Sequence, residues 1–178
     1  MYKRQHCAEA KRAPLRLLAM VRLALDLGLR VGEIAKLEVG DFDWRAGTVT
    51  LKRTKSQRQD VLPLPVLTGQ ALAEYMRHER PATTLPSLFV RRLAPHDKPI
   101  GVDAVSQAIG RALRGAGISR GCHSLRHTLA CRLVNSGSSI KEVADVLRHR
   151  SLDTSLIYAK LDLQLLAEVA LPWPGSAS

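Results

Sequence analysis

Two short segments of this chain have the composition of β-strands, whereas apolar residues recur at helical spacing through most of the rest. The first, Gly47–Leu51, is rich in β-branched residues, and the second, Val61–Leu62, ends at Pro63. The polar and basic stretch between them, residues 52–60, is short enough to connect two antiparallel strands. We therefore predict a hairpin with a basic tip. Leu88–Val90 also has strand composition and is the candidate third strand of a small antiparallel sheet.

Apolar residues recur at helical spacing through most of the remaining chain. Pro14 suits the first turn of the first helix, and Thr68 can cap the third. The predicted helices are Leu15–Leu27, Arg30–Leu37, Thr68 to about Glu79, Val102 to about Ala116, His123 to about Asn135, one opened by the capping box Ser139–Glu142, a helix start at Leu152, and Ala159–Ala170. The pattern predicts a mixed α+β fold that is mainly α-helical.

The charge balance favours a polyanion as partner. The chain has 27 Lys and Arg residues against 16 Asp and Glu residues, for a net charge of +11. These charges are spread along the sequence, which indicates a basic folded surface and not a basic tail. Aromatic residues make up only 4% of the chain, so stacking on bases is not expected to dominate binding. A basic protein attracted to an anionic membrane surface is the alternative.

The cysteine content and the absence of a long apolar stretch suggest a compartment. Cys7, Cys122 and Cys131 are odd in number and lack the spacing of a disulfide framework. The longest apolar region, Leu15–Leu29, is interrupted by charged residues, so neither a signal peptide nor a membrane span is predicted. We expect a cytoplasmic protein with reduced thiols, and the 178 residues suit one domain.

The segment His123–Thr128 concentrates groups that suit a phosphate. His123, Arg126 and His127 share one face if the segment is helical, because positions three and four apart are neighbours. Two histidines one turn apart can also hold a metal. The zinc-protease pattern, however, has Glu after the first His, where this chain has Ser124. A helix end with surface basic residues is the third interpretation.

Further candidates are ambiguous when taken singly. Arg30 lies at a helix junction, where it can form a salt bridge with Glu33 or bind a phosphate. His149 suits a helix end, and Tyr158 suits a half-buried helical position. The hairpin tip is either a solvated turn or a nucleic-acid contact, and its basic residues are Lys52, Arg53, Lys55 and Arg58.

Taken in order, these segments resemble the catalytic domain of the tyrosine recombinases, the phage-integrase and Xer-type family. The resemblance covers roughly Leu15 to Tyr158. It is carried by Gly28–Ile34, the basic hairpin, His123–Thr128, and Leu147–Thr154 followed by Ile157 and Tyr158. It implies the fold of the DNA breaking-rejoining enzymes, with a small antiparallel three-stranded sheet.

The resemblance also implies a role for each candidate residue. Arg30 and Arg126 grip the scissile phosphate, and Tyr158 is the nucleophile. Lys55 is the general acid, with Lys52 as the alternative if the hairpin is offset. His123 is the proton-handling histidine, and His149 is the second histidine that binds the phosphate. The supporting residues are Glu33 and His127.

The implied reaction cuts and rejoins double-stranded DNA through a covalent 3′-phosphotyrosine, with neither metal nor cofactor. The function expected is that of a site-specific recombinase or integrase acting as a homo-oligomer, dimer or tetramer, on DNA. Two alternatives share the same residues. One is DNA relaxation of the topoisomerase IB type, and the other is a truncated, non-catalytic DNA-binding remnant.

The domain prediction assigns residues 1–14 to a tail, 15–160 to the catalytic domain, and 161–178 to a C-terminal helix and tail. Family members usually carry a separate helical core-binding domain before the catalytic domain, and here we expect it to be absent. The apolar stripe of Leu161–Val169 is expected to contact a neighbouring protomer, or else to fold back on its own domain. Arg148 departs from the family, which commonly has Gly at that position.

Overall fold

A computed structural model describes residues 13–52, 59–91, 98–119 and 121–148. The chain divides into two compact units, residues 1–126 and 127–178. Several predictions fall outside the described residues: the tail up to residue 12, the hairpin tip with Lys55, the segment with His149 and Tyr158, and the C-terminal stripe Leu161–Val169.

The helices of the described residues follow the predicted order. They are α1 (Pro14–Asp26), α2 (Val31–Lys36), α3 (Val66–His78), α4 (Val102–Gly115), α5 (His123–Asn135) and α6 (Ile140–Val146), with a short 3-10 helix at Val39–Asp41. Proline stands at the start of α1, as predicted. In the described ranges, no helix combines the length and the apolar character needed to cross a bilayer.

The predicted cap of α3 is wrong. The helix begins at Val66 with Pro65 in the capping position, and Thr68 lies inside its first turn. Proline favours this start because its fixed φ angle suits a helix entry. The Thr68 hydroxyl is buried instead and donates to Asp26 Oδ2 over 2.7 Å, which joins α3 to the end of α1.

The sheet has three antiparallel strands, β1 (Phe42–Asp43), β2 (Thr48–Lys52) and β3 (Gln59–Pro63), in the order β1-β2-β3. The predicted hairpin is confirmed, and its register pairs Lys52 with Gln59. The expected third strand, Leu88–Val90, is wrong. That segment is fully buried and makes one isolated bridge, between Val90 and Pro99. Its apolar character therefore reflects its place in the core.

The first unit has one hydrophobic core. Leu23 of α1, Ile34 of α2, Tyr75 of α3 and Ile109 of α4 are completely buried in it. Leu125, near the start of α5, belongs to the same cluster. The core therefore fixes α2 and the first turn of α5, where the two predicted phosphate-binding arginines lie. It also fixes the root of the β2–β3 hairpin through Leu51.

The second unit contains the remainder of α5 and helix α6. Leu129, Ala130, Val143 and Leu147 form its buried cluster. The predicted capping box is confirmed: the Ser139 hydroxyl accepts from the backbone N–H of Glu142 over 3.3 Å, and the Glu142 carboxylate accepts from the backbone N–H of Ser139 over 2.7 Å. These backbone and side-chain hydrogen bonds lower the pKa of Glu142.

Arg148 has a left-handed backbone, with φ +54°, immediately after the helix end at Leu147. A side chain in that conformation crowds its own backbone, which costs roughly 1–2 kcal/mol. We predict that Arg148→Gly is more stable than Arg148→Ala by about 1 kcal/mol, because both variants lose the guanidinium but only alanine keeps a Cβ. Urea denaturation of the two variants measures the difference, and equal midpoints would contradict it.

Candidate active site

The loop between α1 and α2, Leu27–Arg30, is fixed by its backbone. Gly28 is buried and has φ +59°, a conformation that glycine adopts without the penalty that a Cβ brings. The next residue, Leu29, donates its N–H to the Leu23 carbonyl over 3.2 Å. Arg30 then caps α2 in an extended conformation. The first helix ends at Asp26, within one residue of its predicted end at Leu27, and the loop delivers Arg30 to a defined position.

Glu33 holds Arg30 at two points. Its Oε2 accepts from the backbone N–H of Arg30 over 2.8 Å, and its Oε1 pairs with Arg30 Nη1 at 3.0 Å. The predicted salt bridge is therefore confirmed. The Arg30 side chain is 41% exposed, so solvent reaches a guanidinium whose orientation is already constrained. Its phosphate-binding role stays a prediction.

Arg126 is buried, with 5% of its surface exposed, although it carries a positive charge. Its Nη1 donates to the backbone carbonyl of Gly28. Because consecutive Cα atoms are about 3.8 Å apart, this acceptor lies within about 8 Å of the Arg30 Cα. The fold thus brings the two predicted phosphate-binding arginines to the same loop. No sequence pattern indicated that a main-chain carbonyl would anchor Arg126.

The two histidines of the motif differ from Arg126 in burial. His123 is the first residue of α5 and is exposed, and His127 is exposed as well. Helix α5 begins at His123, so the three residues lie within about one turn of each other, although their burial differs. Their common face stays a prediction. Arg126 points its guanidinium to a buried carbonyl because its helical turn packs on the core through Leu125, whereas both imidazoles meet solvent.

Lys52 is engaged in two ion pairs. Its Nζ lies 2.7 Å from Glu38 Oε2 and 2.8 Å from Asp41 Oδ1. The contact with Asp41, and to a smaller extent that with Glu38, raises the pKa of Lys52 above its usual value. A lysine with a raised pKa is a weaker proton donor. Both carboxylates were missed in the sequence, although the spacing Glu38-xx-Asp41 is that of a reciprocal cap.

Tyr75 is the one tyrosine among the described residues, since Tyr2 and Tyr158 lie outside them. It is completely buried, and its hydroxyl donates to the Leu88 carbonyl over 3.3 Å. Its ring packs against Phe89 at a centroid distance of 5.2 Å. Burial raises the pKa of its phenol, so Tyr75 is suited to the core and not to attack on an external phosphate.

Among the described side chains, no group of three or more His, Cys, Asp or Glu residues could hold a metal ion. The site instead combines two arginines at one loop, a carboxylate that orients one of them, and an exposed histidine on the helix that carries the other. A planar guanidinium can donate parallel hydrogen bonds to phosphate oxygens, so this set is suited to a phosphodiester.

Solved structures define the fold class. The chain has a TM-score of 0.74 with XerA recombinase at 23% identity, covering 92% of this chain and 62% of that one. It has the same TM-score, at 26% identity, with XerH site-specific recombinase bound to a palindromic difH substrate in a post-cleavage complex, covering 89% and 46%. The fold is that of tyrosine recombinase catalytic domains.

The chain belongs to the phage integrase family, which it matches over residues 4–164. Two putative integrase/recombinases of Sinorhizobium fredii, y4rF and y4gC, are 40% and 37% identical to it. The alignments cover 90% and 92% of this chain, with 39% of y4rF and 86% of y4gC. Tyrosine recombinase XerA of Pyrococcus furiosus is 28% identical over 84% of this chain and 51% of its own length. The chain thus spans about two fifths to one half of some relatives and most of y4gC.

Proposed function

We propose that this chain cuts and rejoins double-stranded DNA at specific sites, as a recombinase or integrase that acts through Tyr158. The observation that carries the proposal is the hydrogen bond from Arg126 to the Gly28 carbonyl, two residues before Arg30. Two arginines predicted to bind one phosphate lie about 100 positions apart in the sequence, yet they reach the same loop. Relatives named integrases and tyrosine recombinases support the same function.

In this mechanism the Tyr158 oxygen attacks phosphorus while the bond to the 5′ oxygen breaks. The product is a 3′-phosphotyrosine and a free 5′ hydroxyl, and the reverse attack by a 5′ hydroxyl rejoins the strand. Arg30 and Arg126 stabilise the charge that accumulates on the nonbridging oxygens. Lys55 donates a proton to the departing oxygen.

The remaining residues support these steps. His123 handles the proton of the attacking phenol, and His149 binds the phosphate. Glu33 orients Arg30, since its carboxylate accepts hydrogen bonds from both the backbone N–H and the guanidinium of that arginine. His127 is a supporting residue. Because Lys52 has a raised pKa and two carboxylate partners, Lys55 is the better candidate for the acid. The net charge of +11 supports binding to DNA, and we expect a homo-oligomer there.

Covalent capture tests the proposal even though the DNA site is unidentified. The full 178-residue chain is incubated with nicked duplexes of randomised sequence, in which cleavage beside the nick releases a short strand and traps the intermediate. Denaturant-resistant adducts are isolated, their DNA is sequenced, and the attached peptide is identified by mass spectrometry. We expect attachment of a 3′ phosphate to Tyr158 and a recovered consensus sequence.

The captured sequence then separates recombination from relaxation. Exchange of labelled strands between two duplexes that carry it supports a recombinase. Relaxation of supercoiled plasmid without strand exchange would favour the topoisomerase alternative. Absence of any adduct across the pool, or attachment at a residue other than Tyr158, would contradict the catalytic assignment.

A further inference from the structure

Lys52 occupies the root of the β2–β3 hairpin. It is the last residue of β2 and pairs with Gln59, the first residue of β3. Residues 53–58, which include Lys55, lie between these two paired residues in the sequence. Whatever fixes the Lys52–Gln59 pair therefore fixes both ends of the segment that carries the proposed acid.

Two carboxylates hold the Lys52 ammonium. Glu38 Oε2 lies 2.7 Å and Asp41 Oδ1 2.8 Å from Nζ. The Asp41 side chain is only 4% exposed, whereas that of Lys52 is 56% exposed. A pair with one buried partner differs from an ordinary surface salt bridge, because removal of the lysine leaves a buried carboxylate without its counter-charge. The pKa of Lys52 is raised accordingly.

The Asp41 carboxylate and the backbone that carries Glu38 are themselves held by hydrogen bonds. The other oxygen of Asp41 accepts from the backbone N–H of Glu38 over 2.8 Å, which closes the 3-10 helix. The backbone N–H of Val39 donates to the Pro86 carbonyl over 2.8 Å, and Leu37 is buried beside it. Glu38 follows α2, the helix that Arg30 caps, after a single intervening residue.

We infer that Lys52 is a positioning residue, which fixes the hairpin root against the segment after α2 and so sets Lys55 relative to the phosphate bound by Arg30. The inference rests on the proposed function. It assigns a role to a lysine that the family resemblance implied only as an alternative acid. The three residues Lys52, Glu38 and Asp41 form what we call the hairpin clamp.

The leaving group of the DNA provides a selective test. An oxygen leaving group needs a proton from Lys55 as the phosphorus–oxygen bond breaks. A sulfur atom at the same 5′ bridging position leaves as a thiolate, because thiols have a pKa near 8.5, and needs no acid. A defect in the placement of Lys55 is therefore rescued by the sulfur substrate, whereas a general loss of folded protein or of phosphate binding is not.

The experiment measures the single-turnover rate of adduct formation on duplexes that carry the captured site. One duplex has oxygen and the other has sulfur at the 5′ bridging position. The variants are Lys52→Met, which keeps the aliphatic stem, and Lys52→Arg, which keeps the charge. Lys36→Met, at an exposed lysine of α2, is the matched control. We expect Lys52→Met to slow the reaction of the oxygen substrate about 10- to 100-fold, because the loss cannot exceed the contribution of positioned acid catalysis. On the sulfur substrate, Lys52→Met should react at the wild-type rate. Lys52→Arg should retain most activity, and Lys36→Met should not change the oxygen-to-sulfur ratio.

Equal slowing of Lys52→Met on both substrates, or no slowing on either, would overturn the positioning role. Lys55→Ala keeps the two proposals distinguishable. If wild type forms no adduct, or if the sulfur substrate does not rescue Lys55→Ala, the proposed function or its acid is wrong. If Lys55→Ala is rescued but Lys52→Met shows no selective defect, only the clamp inference fails.

Discussion

Replacing Tyr158 by Phe is expected to abolish the covalent protein–DNA adduct, with a loss of at least about three orders of magnitude in the rate of its formation. Phenylalanine keeps the ring but lacks the oxygen that would bond to phosphorus, and loss of a nucleophile removes the covalent route. Binding of the captured duplex should remain at wild-type strength, because phosphate contacts and not the phenol supply the affinity. Gel analysis of adducts and fluorescence anisotropy measure the two quantities.

Tyr75→Phe is the matched control for this substitution. It removes the same atom from a buried ring whose hydroxyl donates to the Leu88 carbonyl. We expect a stability loss of about 1 kcal/mol, since one intramolecular hydrogen bond is lost, and an unchanged rate of adduct formation. Adduct formation by Tyr158→Phe at the wild-type rate would be incompatible with Tyr158 as the nucleophile. Loss of the adduct in a folded Tyr75→Phe protein would contradict the purely structural role of Tyr75.

Local patterns in the sequence predicted most of the elements that carry the site. Helix α4 showed its apolar stripe, and the Ser139–Glu142 box marked the start of α6. The ion pair of Arg30 with Glu33 could be predicted because both residues lie within one helical turn. In each of these cases, the interactions that determine the structure connect residues close in sequence.

Tertiary contacts decided the features that the sequence did not reveal. Leu88–Val90 has strand composition but is packed in the core. The third strand of the sheet is instead Phe42–Asp43, which pairs with β2 across a short turn, with Phe42 opposite Val49. The anchoring of Arg126 on Gly28 joins residues 98 positions apart. The ion pair of Lys52 with Asp41 likewise crosses from strand to 3-10 helix, and no periodic pattern encodes such a contact.

Replacing Arg126 is expected to have the second largest effect, because its guanidinium serves both the fold and the proposed reaction. Arg126→Lys keeps a positive charge but loses the planar, bidentate donor set, so we expect adduct formation to slow about 10²- to 10³-fold. Arg126→Ala should be slower still, and should lower the free energy of unfolding by about 1–3 kcal/mol because a buried hydrogen bond from a charged donor to the Gly28 carbonyl is lost. Sulfur at the 5′ bridging position should rescue neither variant, since the charge on the nonbridging oxygens must be stabilised with either leaving group.

Arg80 provides the control for a structural arginine. Its guanidinium donates to the carbonyls of Leu85, Ser87 and Leu88 over 2.9–3.1 Å. None of these three acceptors belongs to a predicted site residue. Arg80→Lys should therefore lower stability while the folded fraction forms adducts at the wild-type rate. If Arg126→Lys behaved in the same way, with a stability loss but an unchanged rate per folded molecule, Arg126 would be a structural residue. The convergence of Arg30 and Arg126 on one loop would then serve the packing of α5 and not the binding of a phosphate.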